Sequence, residues 1–282
     1  MAGYVAVVTD STACIPQETA YQWGISVVQL QVSIGDQMDD EARVSADTLI
    51  SGMRGGSDVS TAPPDPAAFF WAYQDAVARG ARAVLSLHLS GQLSKTVEHA
   101  REAADAVSIP VHVIDTGTIA MSLGYGVLTA ARVAQAGADV RQILTVAAPR
   151  IQRGTELIHV ETLEFLRKGG RIGAASHLLG RALSVKPLLT VHRGRIAPLE
   201  TSIGSDRAIR KLVDRAVEQA GRGAVDVAVQ YFGEDERVSK LVHLLRKRIP
   251  RANEITTVEV SAAIAVHVGP GAIGITISPA TS

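Results

Sequence analysis

Cysteine, aromatic residues and net charge are all scarce in this chain. A single cysteine, Cys14, excludes an internal disulfide framework and any CxxC-type metal site, and a free thiol fits a reducing compartment. Aromatic residues occupy only 4% of the 282 positions, which leaves little for a base-stacking surface. Lys plus Arg and Asp plus Glu each number 28, so no broad field exists to attract a polyanion, and no nucleic-acid partner is expected. No uncharged apolar run approaches the roughly 20 residues a bilayer needs. The segment 260–277 comes nearest, and His267, Pro270 and three glycines interrupt it. The first residues lack the basic stretch of a secretory signal. These absences predict a soluble cytoplasmic protein with at most transient membrane contact.

Familiar catalytic signatures are missing too. There is no GxxxxGK(S/T) loop, no GxGxxG after the first apolar run, no GxSxG elbow and no HExxH. The histidines outside position 267 form no ligand-spaced pair on one helix face, so neither a metal nor a cofactor is expected.

What is present is an ordinary core composition, 46% hydrophobic, in a chain long enough for two domains. Short apolar runs at 4–9, 82–87 and 111–115 read as buried strands, and 26–34 alternates as a strand should. Between them, 16–23, 45–54, 65–79 and 90–107 read as helices, with Asp65-Pro66 a strong start and Gly24, Gly55 and Gly80 as stops. The stretch 57–64 reads as a loop. Helices at 120–136 and 139–150 follow. This β-α-β-α order predicts a parallel sheet covered on both faces. Beyond residue 150 the rhythm changes. Strands at 156–160, 185–191, 196–201, 225–231, 254–258 and 273–277, with a hairpin turn at 192–195, predict a mixed sheet. Helices are expected at 208–220, 235–248 and 261–268. The fold class is therefore α/β: an N-terminal parallel-sheet domain, 1–152, and a second α/β domain with a mixed sheet, 153–282. The ligand is expected at their interface and within the C-terminal domain.

In parallel α/β sheets ligands sit outside the carboxyl ends of strands. The polar residues there are Asp10-Ser11-Thr12, Ser90 to Ser94 and Asp115. To these the sequence adds Thr61 before a helix start and His267 before Gly269-Pro270-Gly271. Each has a structural reading as well. Asp10, Ser11 and Ser90 suit helix caps, Thr61 a turn, and His267 a satisfied core position. In 163–173 a helix ends in Arg167-Lys168-Gly169-Gly170, and Arg171 follows on a constrained turn, either aimed by it or solvated.

Taken together these pieces resemble the DegV family, bacterial fatty-acid-binding proteins that include the binding subunit of the fatty acid kinase system. Asp10-Ser11-Thr12 matches its opening DST. Thr61 to Asp65 stands at its TSQPS loop, and Ser86 to Thr96 lies over its SIHISSxLSGT stretch. Asp115, Ser122 and Gly124-Tyr125-Gly126 resemble DSxxxSxGxG; 163–172 resembles LxxLxKGGRI; Lys186-Pro187 with Gly194 resembles the KPIL…DG hairpin; and His267 to Gly271 resembles HTGPG. Ala62, Pro63, Asp65, Lys95 and Val268 depart from those motifs. The resemblance implies a long-chain fatty acid as ligand, its carboxylate held by Thr61 and Ser94 with His267 nearby. It also implies Arg171 at the pocket mouth or in a partner contact, a fatty acid kinase subunit as partner, and no catalysis by the chain itself. The physics fits such a ligand. Each buried methylene contributes roughly 0.8 kcal/mol, so a sixteen-carbon tail supplies on the order of 10 kcal/mol before ordering costs. An alternative class is an acyl-transfer or esterase-like hydrolase using Ser94 and His267, with Asp115 orienting.

Overall fold

The computed structural model describes residues 3–178, 180 and 184–280. Strand β1 (Tyr4–Asp10) is buried from Val5 onward, as a central parallel strand must be. Helix α1 (Gln17–Gln22) returns the chain to β2 (Ile25–Val28), which lies parallel to β1. The chain then leaves this sheet for β3 (Gln31–Ile34), β4 (Gln37–Asp40), helix α2 (Ala46–Arg54) and β5 (Val59–Ala62). These three strands make a small antiparallel sheet ordered β4-β3-β5. Helix α3 (Pro66–Ala78), β6 (Ala81–His88), helix α4 (Thr96–Ala104) and β7 (Val111–Asp115) complete the parallel sheet, ordered β2-β1-β6-β7.

Three sequence expectations change here. The single strand expected over 26–34 is two strands in two sheets. The corner falls at Leu30, whose N–H donates to Ser11 Oγ at 3.0 Å and whose carbonyl accepts from Glu41 N at 2.9 Å, so neither group is left for a continuing ladder. The loop expected over 57–64 contains β5. Its hydroxyl-rich VSTA carries no apolar alternation, and only pairing with β3 makes it a strand. The helix expected from residue 90 begins at Thr96. Ser90 does not cap it: its Oγ accepts from Gln92 N at 3.2 Å, ahead of the helix, while its hydroxyl donates across the molecule to the Gly194 carbonyl at 2.8 Å.

Helix α5 (Ala120–Gln135) is buried on all faces over its first three turns, which its uninterrupted small and apolar sequence allows. Leu123 and Leu128 share one core with Val5 and Leu85 of the parallel sheet and with Ala228 and Val258 of the second sheet. α5 is thus a slab between the sheets. Helix α6 (Val140–Arg153), started by an Asp139–Gln142 capping box, packs along it. Then come β8 (Thr155–His159), helix α7 (Glu164–Lys168), the hairpin β9 (Val185–His192) and β10 (Arg195–Ile203), and helix α8 (Ser205–Ala220). The chain ends with β11 (Val225–Tyr231), α9 (Arg237–Arg248), β12 (Ala252–Glu259), α10 (Ala262–Val268) and β13 (Ile273–Pro279). The second sheet is mixed, ordered β10-β9-β8-β13-β11-β12, with only β11 and β12 parallel. Arg150 of α6 ties the slab to this sheet by an ion pair with buried Asp226 and a 2.9 Å hydrogen bond to Ser278. Among the described residues no helix is long and apolar enough to cross a membrane.

Candidate functional site

A deep slot lies between the carboxyl ends of the parallel strands and the face of the mixed sheet that looks toward α5. Thr12 after β1, Leu89 and Leu93 after β6 and Ile119 after β7 form one wall; Ile158 of β8, Gly274 of β13 and Ile264 of α10 stand among those opposite. About 950 Å³ is free of protein atoms, the opening included. The walls are mainly aliphatic, so the few polar side chains that reach the slot decide what it can hold.

Thr61, Ser94, Arg171 and His267 all line this slot, though they come from a strand, a loop, a turn and a helix far apart in sequence. Thr61 Oγ1 and His267 Nε2 are 2.9 Å apart, across 206 residues of chain. β5 presents Thr61 opposite Val32, and α10, capped by Ser261, presents His267 in its last turn. Burial lowers the His267 imidazole to about 4, and the positive charge of Arg171 adds to the effect, so the ring is neutral at pH 7. Its Nδ1 has no hydrogen-bond partner among the described residues. A proton there would be an orphaned donor, so the tautomer with hydrogen on Nε2 is favoured, donating to Thr61. That leaves the Thr61 hydroxyl proton free to point into the slot.

No hydrogen bond joins Ser94 to His267. Its Oγ accepts from Thr96 N at 3.3 Å and lies 2.8 Å from Thr96 Oγ1, which can donate to it from behind and leave the Ser94 proton free in the same way. Arg171 is half-buried. Its Nε donates to the Leu93 carbonyl at 3.1 Å and its Nη1 to the Gly169 carbonyl at 2.5 Å, which fixes the guanidinium at the slot wall. Gly169 is there because the ring needs the room. A Cβ on it would overlap His267 Nδ1 and lie 2.6 Å from Cε1. A neutral ring, two hydroxyl donors and a held guanidinium together suit an oxyanion at the end of an apolar molecule.

The Ser94–His267–Asp115 arrangement does not form. Ser94 is bonded to Thr96, and Asp115 accepts from the backbone of Gly91 at 3.2 Å and Gly117 at 2.9 Å, shaping its loop. Asp10 is a cap, as its structural reading holds, and more. Oδ1 accepts from Thr12 N at 3.0 Å and from the Thr12 hydroxyl at 2.5 Å; Oδ2 accepts from Leu89 N and His88 Nδ1, both at 3.0 Å. One carboxylate thus locks two slot-wall segments together. Among the described residues no cluster of three or more His, Cys, Asp or Glu side chains could hold a metal.

Sequence reasoning missed Glu156 and Gln230, which also line the slot. Helix α5 has no side-chain cap of its own. Gln230 Oε1 accepts from Met121 N at 3.1 Å and Glu156 Oε1 from Ser122 N at 2.7 Å, so strands of the second sheet cap the slab. Burial pushes the Glu156 carboxyl up. The available signal was a polar residue at an inward position of a strand with an apolar centre, TELIH and VDVAVQY.

This geometry can be set beside known proteins. The family described as "Uncharacterised protein, DegV family" matches residues 4–280. The chain belongs to the DegV family. A DegV domain-containing protein of Streptomyces coelicolor is 40% identical over 279 residues, covering 99% of each chain. One from Deinococcus radiodurans is 38% identical over 280 residues, 98% of each. Among solved structures, a DegV family protein of Thermus thermophilus, described as fatty acid binding, superposes with a TM-score of 0.92 at 31% identity, over 98% of this chain and 100% of that one. DegV of Bacillus subtilis, described as a fatty acid binding protein, gives 0.89 at 26% identity, over 99% and 100%. Both share the α/β fold described above.

Proposed function

We propose that this chain binds a long-chain fatty acid, with the tail in the slot and the carboxylate at Thr61 and Ser94, beside His267 and Arg171. The observation that carries the reading is the Thr61–His267 hydrogen bond at a polar group of a slot walled mainly by aliphatic side chains. The tail supplies affinity, on the order of 10 kcal/mol for sixteen carbons before ordering costs. The head group supplies orientation: two hydroxyl donors meet the carboxylate, each supported from behind by His267 Nε2–H or Thr96. Neutral His267 adds no charge, and Arg171 balances the carboxylate. The same donors accept an acyl phosphate, so the bound acid can be presented to a fatty acid kinase subunit without being released. That partner, cytoplasmic location, and transient membrane contact during exchange of the acid belong to the same proposal. So does the division into domains 1–152 and 153–282 with the acid at their junction. That the Thermus and Bacillus proteins are described as fatty acid binding supports the ligand class. Against the hydrolase alternative, among the described residues Ser94 is hydrogen-bonded to Thr96 rather than to a base, and His267 Nδ1 meets no orienting carboxylate.

Native mass spectrometry of untreated protein is expected to show a bound fatty acid, and added palmitate to raise the melting temperature of lipid-free protein. Thr61→Ala with Ser94→Ala is expected to weaken palmitate binding at least tenfold, since each lost donor is worth about 1–2 kcal/mol against a charged acceptor. Acyl phosphate should appear only when a kinase subunit and ATP are added. Protein that carries no lipid and shows no palmitate shift would refute the reading; ester turnover lost in Ser94→Ala would favour the hydrolase.

A further inference from the structure

The head-group site accounts for Thr61, Ser94, Arg171 and His267, but not for a second polar patch in the same slot. Glu156 and Gln230 are each 2% exposed, and both reach a space otherwise lined mostly by aliphatic groups. They share no hydrogen bond with the head-group residues. Capping α5 explains one oxygen of each. Their remaining bonds run inward: Gln230 Nε2 donates to Glu156 Oε2 at 2.9 Å and to Thr276 Oγ1 at 2.8 Å, and Thr276 Oγ1 donates to Glu156 Oε1 at 2.7 Å. Thr12, also on the slot wall, directs its hydroxyl proton to Asp10. The amide and hydroxyl protons of Gln230, Thr276 and Thr12 are therefore already placed, while the buried Ser122 hydroxyl beside Glu156 has no partner among the described residues.

What is left over on Glu156, Gln230 and Thr12 is acceptor capacity. Glu156 Oε2 and Gln230 Oε1 each accept a single hydrogen bond, and Thr12 Oγ1 accepts none from a described residue, so each keeps at least one lone pair for a further donor. A plain hydrocarbon chain passing here desolvates those oxygens and returns nothing. A hydroxyl on the chain returns a hydrogen bond. It also serves either form of Glu156, because it donates to a carboxylate and accepts from a carboxylic acid. Burial already disfavours the Glu156 charge, and an extra donor offsets that.

Building on the fatty-acid reading, we propose that Glu156, Gln230 and Thr12 form a hydroxyl-recognition subsite, and that the ligand best suited to this chain is a long-chain fatty acid bearing a hydroxyl on its tail. The subsite selects the position of that hydroxyl, since away from it and from the head-group residues the slot walls are mainly apolar.

The test is competition binding on lipid-free protein with stearate and a series of hydroxystearates carrying the hydroxyl near the carboxylate, in mid-chain and at the tail end. One isomer is expected to bind roughly tenfold tighter than stearate and the others more weakly than stearate. In Glu156→Gln, which replaces an acceptor oxygen by a donor, the ratio between that isomer and stearate should fall to within about twofold. Thr12→Val gives a second, near-isosteric removal of an acceptor and should lower the same ratio, so the result does not hang on one variant folding. Stearate binding with no isomer preferred overturns the subsite and leaves the fatty-acid reading standing. A preference that survives in both variants also overturns the subsite. If neither stearate nor any isomer binds, the fatty-acid reading itself fails.

Discussion

Gly169→Ala separates a structural glycine from a functional one. Gly169 closes α7 with ordinary helical angles, φ −74° and ψ −4°, so an alanine meets no backbone strain there. On propensity alone the change should stabilise by about 0.5–1 kcal/mol. The space tells the opposite story. The new Cβ overlaps His267 Nδ1 and sits 2.6 Å from Cε1, on a partly buried ring of α10 hydrogen-bonded to Thr61. The ring must move, and overpacking of this kind costs about 1–3 kcal/mol. The net expectation is a destabilisation of about 1–2 kcal/mol, together with loss of the Thr61–His267 bond and a fall in fatty-acid affinity of about tenfold. Gly170→Ala is the control. Gly170 has φ +69° and nothing within 4 Å of a built Cβ, so alanine there costs about 1–2 kcal/mol through the left-handed backbone alone and leaves binding intact. Denaturant melts and displacement of a fluorescent fatty acid read both quantities. If Gly169→Ala is stabilised and binds normally, the placement of His267 against this turn is wrong.

Two further outcomes follow from buried polar groups. His267 is lowered from 6.5 to about 4, so its contribution favours the native state above pH 6.5 and is lost as the pH falls from 6.5 toward 4. Relative to His267→Asn, the native chain should lose about 3 kcal/mol between pH 7 and pH 4, at 1.36 kcal/mol per pH unit. Glu156 and Glu41, both raised by burial, work in the other direction above pH 4.5, which is why the comparison is made against the variant. Equilibrium unfolding at a series of pH values measures it, and a difference independent of pH would sink the assignment. Asp10→Ala removes the shared acceptor of Thr12 N, Leu89 N and His88 Nδ1 in a fully buried position. It should cost about 3–5 kcal/mol, and a loss below about 1 kcal/mol in urea unfolding would show that the buried network carries little.

Much of the fold was legible because it is written locally. Caps and stops place α2 and α3 almost to the residue: Ser45 and Asp65 accept the first helical N–H groups, and Gly55 and Gly80 end them. β7 and β11 stand where their apolar runs put them. What was misread depended on partners. β5 became a strand only because β3 lies beside it, and residues 90–95 stay out of α4, with Ser90 bonded to Gln92 N and to Gly194. The site divides in the same way. Thr61, Ser94, Arg171 and His267 could be named from motif residues, but not which of them touch. The structure pairs Thr61 with His267 and gives Ser94 to Thr96.

By itself the sequence determined the layered α/β class, because periodicity and caps act over a few residues, and the resemblance of its motifs to the DegV family named Thr61, Ser94 and His267 as the residues to meet a carboxylate. Only the tertiary structure decided that Glu156 and Gln230 cap α5 and reach the slot, and that Gly169 makes room for an imidazole almost a hundred positions away. Such facts rest on contacts between distant segments, where packing rather than local preference sets which groups meet and which are left unpaired.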